Sequence, residues 1–281
     1  MTLDPASLTE RTFVDLTPGE IAAAYNVAYA NYVLPFVVDA AWAASNTPRH
    51  DINPHASSVW YTPAGDIAAM AVLGQRGSDG WIGGFGIAND LRGQGLSAWL
   101  IDATIANARA AGITRLWLEV ITTNAAAIRV YERAGFSHTR TMLVLRSPTD
   151  ASDDSAEEQM QRIDLHTARI HRASSVDRPA WQRTIPISVD NDMTMGYRAW
   201  QTADGSGLLV TVGELPGTRI ADLTADTTQA ADNLLRHLRP PFIAWPTTLL
   251  NEPDGGAIAT AASARGWTTA LAQHEMVRDL A

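Results

Sequence analysis

The sequence predicts an α/β protein of two domains, and three stretches carry that reading. Residues 80–112 pass from an apolar, glycine-laced run, Trp81 to Ala88, through Asn89-Asp90 and a glycine turn into a segment with apolar residues at Leu96, Leu100, Ile101, Ile105 and Ala108. That spacing belongs to a strand, a tight turn and a helix. Residues 148–162 gather a proline, serines and five acids between two apolar halves, the composition of a linker. Beyond it, strand and helix patterns begin again. The expected domains are therefore 1–147 and 163–281, and a chain of 281 residues is long enough to give each its own core.

Taken in order, Thr12–Leu16 reads as a first strand. Thr17-Pro18-Gly19-Glu20 reads as a helix start with proline in the first turn. That helix is expected to reach about Asn31 and to stop before Pro35. A second short helix fits Val38–Ala44, followed by a polar loop over Asn46–His55. His50, Asp51 and His55 in that loop are ligand-type residues, but their spacing fits no common metal motif, so no metal site is expected. Ser57–Thr62 and Ile67–Gln75 form a hairpin about Pro63–Asp66. The next strand carries Gly83, Gly84 and Gly86, unfavourable unless backbone must bend or approach something closely. Gly112 ends the long helix, and Leu116–Ile121, with Glu119 in it, alternates as a strand. Asn124 caps a helix running to Gly135, and Phe136–Leu145 is a strand. In the second half, Asp192–Gln201, Leu208–Glu214 and Phe242–Leu250 read as strands, Thr227–Leu238 and Ala257–Ala264 as helices, and Gly266-Trp267 leads into a last strand ending at Asp279.

Composition removes several function classes. No run of 18 apolar residues occurs and the first residues form no charged-then-apolar leader, so the expectation is a cytoplasmic protein with no membrane partner. The absence of cysteine excludes disulfides, thiolate metal sites and a cysteine nucleophile. All 21 basic residues are arginine, and the net charge of −9 argues against nucleic acid as a partner, because phosphate backbones need clustered basic surface. A cationic substrate is compatible with that charge.

Chemistry concentrates in the turn Arg92-Gly93-Gln94-Gly95-Leu96-Ser97. A helix start leaves N–H groups without partners, and two glycines let their backbone approach a bulky anion. Spacing alone leaves open whether this is a phosphate cradle or an ordinary cap. The P-loop pattern is missing its Lys-Ser/Thr pair, and the dinucleotide fingerprint needs three glycines at another spacing.

Arg92-x-x-Gly95-x-Ser97 resembles the acyl-CoA loop of the GCN5-related N-acetyltransferase superfamily, whose pattern is Arg/Gln-x-x-Gly-x-Gly/Ala; Ser97 departs from it with a small residue. Asn124-Ala-Ala-Ala-Ile-Arg-Val-Tyr-Glu-Arg-Ala-Gly-Phe136 resembles the family's second signature, in the expected order. The resemblance covers residues 12–146 and implies two tandem domains, each a mostly antiparallel twisted sheet flanked by helices. It implies acetyl-CoA as cofactor, held by Arg92, Gly93, Gln94, Gly95, Leu96 and Ser97 with Asn124. The strand of Gly83–Gly86 is then expected to bulge, with backbone of Phe85, Gly86 and Ile87 beside the thioester. Tyr131 falls where relatives place the acid that protonates the departing thiolate. Glu119 is the candidate base, with His138, Asp39 and Asp51 as substitutes.

The acceptor implied is the primary amine of a small polar molecule, such as an antibiotic or amino sugar. A protein N-acetyltransferase and a non-catalytic acyl-CoA-binding regulatory module are the alternatives. The region 33–62, with Trp181 and Trp245, is expected to shape the acceptor pocket. The second half reads as a worn copy: Arg265-Gly266-Trp267 echoes Ala134-Gly135-Phe136, but Ala262 stands where the tyrosine should be. Leu215-Pro-Gly-Thr-Arg-Ile lacks the glycine pattern of the phosphate turn, so no cofactor is expected there.

Overall fold

The computed structural model describes residues 3–32, 37–150, 160–175, 178–186, 196–213, 218–238 and 246–281. The chain divides into two compact units, one of residues 1–139 with 275–281, the other of residues 140–274.

In the first unit, β1 (Thr9–Thr12) precedes a 3-10 turn over Phe13–Asp15. The strand expected at Thr12–Leu16 thus lies earlier. Phe13 and Leu16, spaced by three, are both buried, and a turn of period three puts both on one side. α1 (Pro18–Ala28) starts where the sequence places it: the Thr17 hydroxyl accepts from Glu20 N–H and the Glu20 carboxylate accepts from Thr17 N–H. α2 (Ala40–Arg49) follows with Asp39 as its cap, and takes in Asn46 to Arg49 of the stretch expected as loop. β2 (Ser58–Tyr61), β3 (Ile67–Arg76), β4 (Asp79–Ile87), α3 (Leu96–Ala110), β5 (Arg115–Ile121), α4 (Ala125–Arg133) and β6 (Ser137–Arg146) then match the reading closely.

The second unit holds β7 (Gln161–Ile163), α5 (Leu165–Ala173), a 3-10 turn (Trp181–Arg183), β8 (Arg198–Gln201), β9 (Gly207–Val212), β10 (Arg219–Ala225), α6 (Thr228–His237), β11 (Thr248–Pro253) and α7 (Ala257–Ala264), and β12 (Thr268–Asp279) begins in it. The expected strand and loop segments at 192–195, 214–217 and 242–245, and most of the linker, lie outside the described residues. β7, α5 and β10 went unread in the sequence. β10 occupies Arg219–Ala225, so the turn before α6 is Asp226-Thr227 and not the stretch from Leu215 to Ile220.

The strand order in the first unit is β1-β2-β3-β4-β5-β12-β6, antiparallel from β1 to β4, with β4 and β5 parallel. Helices pack on it: α1 on β3 and β4, α3 on the same two strands, and α4 on α3. One core cluster joins Leu116, Leu118 and Val120 of β5 to Ile101 and Ile105 of α3 and Tyr131 of α4. In the second unit β10-β9-β8-β7 form a separate antiparallel sheet, and β11 pairs with the second half of β6.

Candidate functional site

The glycine turn comes between β4 and α3 because the chain there needs two left-handed residues. Gly93 has φ 78° and Gly95 φ 82°, where an L side chain is strained. Gly95 is the N-cap of α3 and no side chain caps that helix, so its first-turn N–H groups are presented outward. A Cβ at either glycine would meet nothing within 4 Å. Leu96 is buried and pins the start of the helix, with Ser97 next in its first turn.

The side chain of Arg92 is engaged in the fold. Its Nε donates to Ile87 O (3.0 Å) and its Nη2 to Ala28 O (2.9 Å) and Ala30 O (3.0 Å), tying the end of β4 to the end of α1. Gln94 accepts from Leu3 N–H (3.1 Å). In this turn, backbone N–H groups and the Ser97 hydroxyl are left to hold an anion.

β4 and β5 pair only from Asp79–Arg115 to Ile82–Leu118, then part. At the same point β4 bulges: Val72 faces Gly84 and Leu73 faces Ile82, leaving Gly83 without a partner on β3. A side chain at Gly83 would run into the Trp81 ring, and one at Gly86 would stand 2.9 Å from Ala28 O. The glycines thus serve the bulge and the close approach of α1. Ala88 N–H donates to Ala68 O (2.9 Å), so by alternation Gly86 N–H also faces β3, while those of Phe85 and Ile87 face the gap. Phe85 N–H is met there by the Tyr29 hydroxyl at 3.3 Å.

Tyr131 is buried at the gap, its ring 5.6 Å from Phe85 and 5.9 Å from Phe136. Burial, with Tyr29 and Tyr32 adding to it, pushes its phenol well above the ordinary range, so it is a proton holder at any working pH. Tyr29 is pushed up to about 12, again chiefly by burial. Asn124 caps α4 through Ala127 N–H (3.2 Å) and hydrogen-bonds Tyr32. Tyr25, Tyr29 and Tyr32 form a ladder of ring contacts on one side of α1 and its exit. The sequence reading missed them, although their spacing of four and three is a single helical face.

Glu119 stands on the other face of β5, since Leu118 and Val120 belong to the core that holds Tyr131. Its carboxylate accepts from the Trp81 indole at 2.7 Å, and Trp81 in turn lies against His50 (5.7 Å). Of the substitute bases, Asp39 caps α2, Asp51 is paired with Arg76 at 2.7 Å, and His138 is exposed on β6. Phe85, Tyr131, Tyr29, Tyr32 and Asn124 are thus brought together, with Glu119 across the sheet from them. No group of three or more metal-ligating side chains occurs among the described residues.

The model of the acetyltransferase (GNAT) family matches residues 22–136, the stretch that holds the turn, the parted strands and α4. The chain carries a GNAT acetyltransferase domain. Over 147 residues, 51% of this chain and 92% of the other, it is 27% identical to the [ribosomal protein bS18]-alanine N-acetyltransferase of Escherichia coli strain K12. The fold resembles two solved structures through nearly the whole chain. A putative acetyltransferase from Pyrococcus horikoshii gives a TM-score of 0.72 at 12% identity, covering 99% of this chain and 91% of that one. A GCN5-related N-acetyltransferase from Sphaerobacter thermophilus gives 0.68 at 12%, covering 99% and 97%.

The GNAT domain of residues 22–136 is an N-acetyltransferase domain, with acetyl-CoA as the acetyl donor. Its residues fit that donor: an uncapped helix start with open space before Gly93 and Gly95 suits a pyrophosphate, and the unpaired edge of β4 suits an extended polar arm. No helix of the described residues is long and apolar enough to cross a membrane.

Proposed function

We propose that the GNAT domain transfers the acetyl group directly to the primary amine of a small polar molecule. One observation carries the reading: β4 and β5 part directly beyond Ile82 and Leu118, beneath an uncapped glycine turn, with Tyr131 on one face of the gap and Glu119 on the other. A molecule threading that gap meets both.

When bound, acetyl-CoA supplies an acetyl thioester, whose carbonyl is open to attack by an amine. Backbone N–H groups of Gly93 to Ser97 hold the pyrophosphate, and Arg92 keeps the turn in place by tying it to α1. One of Ile87 N–H and Phe85 N–H, the latter once the Tyr29 hydroxyl turns aside, would donate to the acetyl carbonyl oxygen, and the other, two residues along the strand, to the extended arm. Glu119 takes a proton from the amine, directly or through water, because a free alkyl ammonium of pKa about 10 is no nucleophile near neutral pH. Tyr131, kept protonated by burial, gives a hydrogen bond and then its proton to the departing sulfur. Asn124 steadies this side by capping α4 and holding Tyr32. The C–S bond would break as the amide C–N bond forms, the nitrogen's second proton would return through water to Tyr131, and a free thiol would leave.

A second reading is favoured by the 27% identity to an enzyme named for a ribosomal protein's alanine: the acceptor is a protein N-terminus. The two readings separate in a turnover assay offering acetyl-CoA with a panel of amino sugars and aminoglycosides, and separately with peptides beginning in alanine. The chain has no lysine, so acetylated lysine side chains of the enzyme cannot confuse the result. Turnover of amines but not peptides supports the first reading, and the reverse supports the second. Turnover of neither, with cofactor bound, leaves a non-catalytic acyl-CoA-binding module.

The second unit we read as a worn copy without cofactor. Its succession β7, α5, β8, β9, β10, α6, β11, α7 parallels β1, α1, β2, β3, β4, α3, β5, α4. Three observations support the loss. Thr227 caps α6 through Ala230 N–H (3.1 Å), where α3 is open. The 3-10 turn at Trp181–Arg183 packs on both β10 and β11, with Arg183 bonded to Leu223 O, on the edge the arm would use. Ala262 stands four residues before Gly266, as Tyr131 stands four before Gly135. Calorimetry of the full chain with acetyl-CoA is expected to show one site, abolished by Gly95→Asp, which puts a carboxylate where phosphate should lie. Two sites, or one that survives the substitution, would sink this division of labour.

A further inference from the structure

The second unit has a cleft of about 500 Å³, partly open to solvent, at the end of β10 and the start of α7. By order of elements it stands where the first unit has its gap between β4 and α4, yet the groups around it differ.

Three sets of hydrogen-bond donors meet there. The first is the start of α7, whose N-cap is Gly256 and which no side chain caps. Before it, Gly255 takes φ +76° and a Cβ there would meet nothing within 4 Å, so the backbone is approachable. The second is Thr224, only 6% exposed, whose hydroxyl has no partner. The third is Arg183, 4% exposed. Its two Nη groups are bonded to Glu252, Asp222 and Leu223 O, while its Nε has no partner. Buried donors without partners are uncommon because each gives up its bond to water. The helix start adds a positive end to the same cleft.

We propose that this cleft binds a small molecule through one anionic, acceptor-rich group, a carboxylate or a phosphate. Donors define the group, since the helix N–H groups and Arg183 Nε can only donate. Glu252, Asp226 and Asp254 also line the cleft and match Arg140, Arg172 and Arg183 in number. A polyanion is therefore disfavoured, and the rest of the ligand is polar or cationic where it faces Asp226 and Asp254. The volume suits a molecule of metabolite size. The site binds without transferring, having neither the open glycine turn nor the tyrosine.

The test uses the full chain at low salt and two probes, inorganic phosphate and succinate, followed by calorimetry and thermal melting. At least one probe is expected to bind with a dissociation constant of about 1 mM or better. Thr224→Val removes the hydroxyl at nearly constant shape. Ala257→Pro removes the first N–H of α7 at a position where proline is tolerated, after a residue, Gly256, already at φ −68° and ψ 167°. Each is expected to weaken the probe about tenfold, the worth of a hydrogen bond to a charged group, with the free protein melting as before. Phosphate alone binding assigns a phosphate group, and succinate alone a carboxylate. If neither probe binds by about 10 mM, the proposal fails. If both folded variants bind as tightly as the parent, the probe is an adventitious ion only and the proposal fails equally. Should Ala257→Pro melt early, Thr224→Val decides alone.

Discussion

At the level of single residues, the two groups proposed to handle protons are distinguished by what surrounds them. Tyr131 is packed against the rings of Phe85 and Phe136 and held neutral by burial, whereas the Glu119 carboxylate accepts a hydrogen bond from Trp81. Tyr131→Phe removes the hydroxyl from a site that keeps its packing. Steady-state kinetics should show kcat down about a hundredfold with acetyl-CoA affinity unchanged. Because the phenol titrates above the working range, no alkaline limb in the pH profile between about 7 and 9 should belong to it. Asp204 makes a separate prediction. It accepts from Ser206 N–H (3.0 Å), the Thr202 hydroxyl (2.7 Å) and the Ser206 hydroxyl (2.7 Å), which lower its carboxyl to about 2. The unfolded carboxyl titrates near pH 3.9, so the turn's contribution is complete above that and disappears as pH falls toward 2. In melting temperatures, Asp204→Asn should be less stable than the parent at pH 6 and should flatten the loss between about pH 4 and 2. Asn124 was legible as a helix cap from local pattern, whereas Tyr131 was singled out by the family resemblance. Trp81 as the partner of Glu119, 38 residues away, was legible from neither, since only strand pairing brings them together.

Elements explain why the central glycines are where they are. Gly86 lets α1 pack against β4, and a Cβ there would stand 2.9 Å from both Ala28 O and Ala28 Cβ. Gly86→Ala should therefore lower stability by about 1–3 kcal/mol in denaturant titration, an overpacking effect, and loosen the Arg92 tie to α1 with it. Gly83 lets β4 bulge, which puts Trp81 and Gly84 on the same side of the sheet though they are three apart, and so aims Trp81 at Glu119. Periodicity revealed the strands and helices of this half because each has a cap, a turn or an alternation of its own. Thr17 with Glu20, and Asn124, mark their helices to the residue. The wedge at Trp181–Arg183 left no such mark. Its place depends on Asp222 and Glu252, which lie 39 and 69 positions on.

For the whole molecule, the unexpected fact is where the first unit finds its last strand. Residues 275–281 belong with it by contact, although the sequence reading carried them in the second domain. Leu280 N–H donates to Thr114 O (2.7 Å), Arg109 donates to Leu280 O (3.1 Å), Thr139 bonds Glu275 (3.0 Å), and Met276 lies in the core beside Tyr131. Deleting residues 275–281 should expose that core and abolish cooperative melting of the first unit, read by near-ultraviolet circular dichroism. A fragment of residues 1–147 should behave in the same way. Single-sequence patterns could not show this, because Phe136–Leu145 alone reads as a sufficient closing strand. The arrangement also sets an order on synthesis. A nascent chain that has emerged as far as Thr139 still lacks the strand between β5 and β6, and the ribosome must make residues 140–274 before it can follow, roughly 7–27 s at ordinary elongation rates. During that interval the two strand edges are open to each other and to chaperones, and completion of the first unit waits on residues 275–281.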